Sequence, residues 1–164
     1  MVNDVSALAA AGALEAVAAS SAAVCLMHMR GEPGTMQIDP SYDDVVSEVR
    51  EYLGGRIAAA RASGIALERI VVDPGFGFGK TLEHNLALLR GLPALAELGA
   101  AVMAGLSRKA MLGRLTGREV GDRMHASVAA ALVAVQKGAN IVRVHDVAAT
   151  RDALAVWQAV MRDA

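Results

Sequence analysis

Short apolar runs alternate with longer stretches of helical pattern, and this alternation constrains the fold more than any other feature of the chain. Ala22–Met27, Ile70–Val72, Ala100–Gly105 and Asn140–Val144 read as strands, and Met1–Asp4 reads as the last residues of another. Helices are expected at about Ala7–Ala19, Tyr42–Ser63, Thr81–Leu89 with a second piece after Pro93, Lys109–Leu115, Gly121–Lys137 and Ala148–Met161. In the second of these, Val45, Val46, Val49, Leu53, Ile57 and Ala60 keep the helical period, Ser41 is placed to cap it and Gly64 to end it. Strand–helix alternation of this kind predicts right-handed βαβ units and a parallel sheet, hence an α/β fold. The chain has 164 residues, enough for one domain spanning 1–164 but short of the ~250 of a complete (β/α)8 barrel.

Several classes of protein are excluded. No uninterrupted apolar run reaches the length of a membrane span. With 16 basic and 17 acidic residues the net charge is -1, and no basic stripe suggests a nucleic-acid partner. Cys25 is the single cysteine, so neither an internal disulfide nor a multi-cysteine zinc site can form, and its strand setting reads as a buried structural thiol. The N-terminus shows no secretory pattern, and the expected location is the cytoplasm.

Parallel α/β folds bind ligands at the carboxyl ends of their strands, and every strand here ends in polar groups. These are Asn3-Asp4, then His28 and Arg30, then Asp73, then Ser107-Arg108-Lys109, then Arg143 and His145-Asp146. Asp4, Ser107 and Asp146 also sit where a helix cap is useful. Arg143 and His145 are two apart, so on a strand they share a face; they form either a satisfied buried pair or an anion site.

Both phenylalanines of the chain lie in Gly75-Phe76-Gly77-Phe78-Gly79. Their placement in a loop suggests rings offered to a planar ligand, with the glycines letting the backbone approach it; the alternative is a turn whose rings fold back onto the sheet. Neither nucleotide-binding glycine spacing is met. Asp73 at the strand tip suits the N–H edge of an amino-pyrimidine. Lys109 begins a helix, where the dipole disfavours a cation, which favours a functional role. Lys80 and Lys137 read as surface lysines, His84 and His125 as structural, and His28 as either inward-facing or packed.

Asn3-Asp4-Val5-Ser6, Cys25-Leu26-Met27-His28-Met29, Asp73-Pro74-Gly75-Phe76-Gly77-Phe78-Gly79-Lys80, Gly105-Leu106-Ser107-Arg108-Lys109 and Arg143-Val144-His145-Asp146 closely resemble the motifs of the dihydropteroate synthase family. They occur in the family's order along the whole chain. The resemblance implies part of a TIM (β/α)8 barrel, about five parallel βα units, with the family's first three strands missing and the fourth clipped to its end. It implies the condensation of 6-hydroxymethyl-7,8-dihydropterin pyrophosphate with 4-aminobenzoate in folate biosynthesis, and competitive inhibition by sulfonamides. Asp73, Lys109, Arg143 and His145 would be catalytic. Asn3, Asp73 and Lys109 would bond the pterin, Val5, Met27 and Gly105 would line its slot beside Phe78, and Arg143 would stack on its ring. Arg143 and His145 would hold pyrophosphate, and Gly77, Phe78 and Lys109 would border the aminobenzoate. Mg2+ would assist, its family ligand lying in the missing strands, so no metal ligand is expected in this chain. Members are usually homodimers, and the last helix, with Leu154, Trp157, Val160 and Met161, could serve that contact or pack internally. Ala110 stands where many members have Ser or Thr.

Two other readings stay open: a non-catalytic piece that binds pterin or anion weakly, and a corrinoid-linked methyltransferase. Open parallel edges are poorly tolerated, so the chain on its own is expected to be poorly stable or to pair with another copy.

Overall fold

Each apolar run becomes a strand in the computed structural model, which describes residues 1–32 and 34–161. The strands are β1 (Val2–Asp4), β2 (Val24–Met27), β3 (Ile70–Asp73), β4 (Ala101–Ala104) and β5 (Ile141–Val142). The helices are α1 (Ala13–Ala18), α2 (Val45–Ala62), α3 (Leu82–Arg90), α4 (Leu92–Ala96), α5 (Ala110–Thr116), α6 (Met124–Gln136) and α7 (Val147–Met161). Among the described residues the strands form one sheet in the order β1-β2-β3-β4-β5, every pair parallel. Each strand lies beside its predecessor with no reversal, so the sheet winds one way as barrel strands do, and has no switch point of the doubly wound kind.

The period of two along each strand sorts the side chains. Val24, Leu26, Ile70, Val72, Val102 and Ala104 join the large core beneath the helices, with Val49, Leu53, Leu88, Leu92 and Leu95. On the opposite face Cys25, Val71 and Met103 pack with Ala101 and Ile141. Met27, two past Cys25, and Asp73, two past Val71, extend this second face toward the strands' carboxyl ends. Cys25 is buried there, and burial first, then the Asp73 charge, pushes its thiol up to about 12, so it is a protonated packing group as expected.

Two local differences have physical causes. The expected helix Ala7–Ala19 is reduced to α1 because the Asp4 carboxylate accepts the N–H groups of Ser6 (3.0 Å) and Leu8 (2.7 Å). That bends Ala7 and Leu8 into left-handed backbone, a side-chain bond outcompeting helix. The cap of α2 is Asp44, whose Oδ1 accepts from Val46 and Ser47, rather than Ser41. Its end is as expected: Gly64, at φ +89, donates to Arg61 and Ile65 donates to Ala60, a Schellman pair. No helix among the described residues is long and apolar enough to cross a membrane.

Candidate functional site

Asp73 ends β3 with only 1% of its surface exposed. Its Oδ1 accepts the Gly75 N–H at 2.8 Å, and its Oδ2 accepts from Arg143 Nη2 at 3.1 Å. Arg143 Nη1 donates in turn to Asn3 Oδ1 at 2.7 Å and lies 3.5 Å from the Met103 sulfur. Three expected pterin contacts, from β1, β3 and just past β5, therefore meet in one hydrogen-bonded chain. Gly105 belongs to the same cluster: a Cβ there would sit 2.7 Å from Arg143 Nη2, so any side chain would displace the guanidinium. Met27 is buried and pairs in register with Asp73, while Val5 is exposed just beyond β1. The Arg143 side chain remains 43% exposed, leaving its planar fork open on one flank.

Arg143 and His145 separate. β5 ends at Val142, so strand alternation no longer governs them, and each finds its own partner. His145 is exposed and joins Ser107, whose Oγ accepts its backbone N–H at 3.2 Å and lies 2.9 Å from Nδ1. Its Nδ1 is engaged by Ser107, and no bond to Nε2 is formed among the described residues. Ser107 thus clamps a histidine instead of capping α5. Asp146 likewise takes Arg108 through both oxygens, at 2.7 and 3.2 Å; these bonds hold its carboxyl below the usual range. Together the two pairs tie the loop after β4 to the loop after β5.

The glycine-rich loop divides its two rings. Phe76 is completely buried in the main core, which corrects the expectation that both rings face a ligand: the fold-back alternative holds for Phe76. Phe78 is partly exposed, with Lys109 Nζ 5.0 Å from its ring centroid. Lys109 Nζ also donates to the Phe76 carbonyl. Burial, aided by the Arg143 charge and opposed by Asp73, pushes the Lys109 ammonium down to about 8. The glycines serve the protein's own packing: Gly75 and Gly79 have positive φ, and a Cβ at either would overlap the carbonyl oxygen of His28 or Arg30. Gly77 lies against the Lys109 stem. Beside it a cleft of about 190 Å3 is lined by Gly77, Asn85, Lys109, Ala110 and Arg114. A larger cavity of about 670 Å3, between Arg108, Arg118, His125 and Asp146, touches neither Asp73 nor Lys109.

Lys80 is not a surface lysine. It is 3% exposed and its Nζ contacts His28 Nδ1, the Gly75 carbonyl and the Phe78 carbonyl. Burial, then the Lys80 charge, pushes His28 down to about 3, so the packed ring is neutral and can accept. Lys137 is exposed, and His84 completes a capping box with Thr81, both as expected. Sequence reasoning missed Asn85, whose Oδ1 accepts the Gly77 N–H at 2.7 Å. One signal was present for Lys80: it precedes the start of α3, the same dipole conflict that singled out Lys109.

A singly wound parallel sheet that gathers a buried acid, an open guanidinium and a lysine at the carboxyl ends of its strands is a barrel-type α/β ligand-binding protein. Over residues 1–145 the chain matches the family described as pterin binding enzyme, and it belongs to that family. The dihydropteroate synthase of Neisseria meningitidis serogroup B is 55% identical over 165 residues, spanning 98% of this chain and 58% of that relative. The crystal structure of dihydropteroate synthase from Stenotrophomonas maltophilia with active site-bound imidazole superposes with a TM-score of 0.95 at 57% identity, over 98% of this chain and 61% of that one. Dihydropteroate synthase from Xanthomonas albilineans in complex with 7,8-dihydropteroate gives 0.91 at 55% identity, over 98% and 60%. The chain therefore spans about three-fifths of the length of these relatives.

Proposed function

We propose that this chain supplies the pterin and aminobenzoate sites of a dihydropteroate synthase, which joins 6-hydroxymethyl-7,8-dihydropterin pyrophosphate to 4-aminobenzoate and releases pyrophosphate. The observation that carries this reading is the Asn3–Arg143–Asp73 chain on the open face of the sheet. When Arg143 yields Oδ2, the Asp73 carboxylate can take two N–H groups from the pterin edge, with Asn3 and Lys109 bonding beside it. Val5, Met27 and Gly105 line the slot, and Arg143 moves onto the ring face. As the C–O bond breaks, its electron pair leaves with the pyrophosphate oxygen and positive charge spreads through the pterin. The pre-positioned Asp73 carboxylate stabilises that charge. Arg143 and His145 hold the departing anion. The aminobenzoate nitrogen, bordered by Gly77, Phe78 and Lys109, then forms the C–N bond and gives up a proton to the released pyrophosphate or to water. When bound, Mg2+ would supply counter-charge to the pyrophosphate. Among the described residues no three His, Cys, Asp or Glu side chains gather as metal ligands, and no step is assigned to the ion.

The family's homodimer enters the proposal through α7, where Leu154 and Trp157 are half-buried and Val156, Val160 and Met161 are exposed; sedimentation reads the oligomeric state. The deciding experiment is turnover of the pterin pyrophosphate and 4-aminobenzoate by the 164-residue chain, with Asp73→Asn beside it. Turnover lost in the variant supports the assignment, and failure to bind either substrate sinks it. One observation favours a second reading, binding without turnover: β1 and β5 each pair with a single neighbour among the described residues. Dihydropteroate affinity with no product formation would select it.

A further inference from the structure

A lysine ammonium taken out of water is costly unless each of its three protons finds an acceptor. Lys80 meets that condition without a carboxylate in contact. Its Nζ lies 3.0 Å from His28 Nδ1, 3.1 Å from the Gly75 carbonyl oxygen and 3.0 Å from the Phe78 carbonyl oxygen. Three donors face three acceptors, and the neutral His28 ring has a free lone pair to offer. His28 is itself buried and packed edge-on to Tyr52, with ring centroids 5.0 Å apart.

Two of these acceptors bracket the loop that forms one wall of the proposed aminobenzoate site. Between Gly75 and Phe78 lie the Phe76 carbonyl, which accepts from Lys109, and Gly77, which touches the Lys109 stem. Phe78 follows, with its ring under the Lys109 ammonium. The Phe78 N–H closes the segment onto the Gly75 carbonyl at 3.1 Å, and the other side-chain bonds act at single points: Asn85 accepts the Gly77 N–H and Tyr42 donates to the Gly79 carbonyl at 3.0 Å. Lys80 alone, among the described residues, grips both ends of the Gly75–Phe78 segment and the end of β2 with one group.

We infer that Lys80 is a positioning residue: its buried ammonium, bonded to His28 and to the carbonyls of Gly75 and Phe78, holds the Gly75–Phe78 wall in place against Lys109. Its effect on ligand rests on the aminobenzoate assignment above; its effect on the loop does not. A methionine of similar length fills the space but donates nothing, taking the Lys80 donor from the Phe78 carbonyl and the imidazole nitrogen and leaving the Gly75 carbonyl with the Phe78 N–H alone.

The test compares the 164-residue chain with Lys80→Met at pH 6. In the wild type, 15N NMR is expected to show Lys80 ammonium protons exchanging with water about tenfold or more slowly than those of exposed Lys137, as three protein acceptors require. In Lys80→Met, amide exchange at Gly77 and Phe78 is expected to quicken about tenfold or more while Leu88 of α3 keeps its rate, the loss of a charge-assisted bond acting locally. Dihydropteroate affinity falls with it. Lys80 protons exchanging as fast as those of Lys137 overturn the inference even if the variant does not fold. So does unchanged exchange at Gly77 and Phe78. Unchanged dihydropteroate affinity with a loosened loop removes the ligand half of the inference. A wild-type chain that binds no dihydropteroate refutes the proposed function instead, and the exchange results still decide the role of Lys80.

Discussion

The Arg143 guanidinium holds the Asp73 carboxylate at 3.1 Å and the Asn3 amide oxygen at 2.7 Å, so one cation joins the first strand of the sheet to the third from beyond the fifth. On the proposed reading, a pterin at Asp73 takes over the Oδ2 acceptor that Arg143 now holds. Asp73→Asn keeps the shape but turns one acceptor into a donor. A bond to a charged group is worth about 1.5–3 kcal/mol, so dihydropteroate binding should weaken roughly 10- to 100-fold by calorimetry. An affinity within a factor of two of wild type would remove Asp73 from the site.

Gly75→Ala should destabilise the chain. The position has φ +69, and an added Cβ meets the His28 carbonyl oxygen. Left-handed strain and a backbone clash together cost about 2 kcal/mol or more, readable as a lower urea midpoint. The same change at Gly12, which also has positive φ but open space around it, should cost less.

Stability should rise with pH through the two buried ammonium groups. Lys80 is pushed down to about 7 and Lys109 to about 8, in both cases first by burial. Between those values and the unfolded lysine pKa near 10.4, the unfolded chain binds more protons, so the unfolding free energy gains a positive slope with pH. Lys80→Met should flatten that slope between about pH 7 and 10, measured as the difference between the two denaturant curves. Equal slopes would contradict the burial of Lys80. Ligand contacts that need a protonated Lys109 should weaken as pH rises through about 8.

Ser107→Ala releases His145, which loses the hydrogen bonds at its backbone N–H and its Nδ1. A net bond is worth about 1 kcal/mol, so pyrophosphate inhibition should weaken several-fold while dihydropteroate affinity, set at Asp73, stays near wild type. A parallel loss of both would place Ser107 in the general packing.

Ala110 opens α5 and lines the cleft beside Gly77 and Lys109. Ala110→Ser adds a hydroxyl there without filling buried space. Affinity for 4-aminobenzoate, or for a sulfonamide competing with it, should rise about two- to fivefold, the value of one partly exposed hydrogen bond. No change would show that the cleft is not where the aromatic acid lies.

Much of the site was legible because strand arithmetic is local. Asp73 follows Val71 by two and Met27 follows Cys25 by two, so a buried inner face at one pair predicts the orientation of the next. Arg143 and His145 escaped the same arithmetic because the ladder stops at Val142 and the backbone turns. Asp4, Ser107 and Asp146 carry equivalent cap signals, yet only Asp4 spends its carboxylate on the following turn; the other two find partners 38 residues away.

The alternation of apolar runs, the glycine punctuation and the polar strand ends determined by themselves a parallel α/β sheet with a ligand face at its carboxyl edge. Hydrophobic period and turn chemistry act over a few residues and can be read along the chain. Only the tertiary structure decided which of two phenylalanines enters the core, and which of three lysines have their ammonium groups buried. Phe76 and Phe78 have nearly the same neighbours in sequence, and Lys80 and Lys137 the same side chain. Phe76 is placed by the core it enters. Lys80 is placed by His28, a residue 52 positions earlier, because a buried charge is tolerated only where distant segments bring three acceptors to one point.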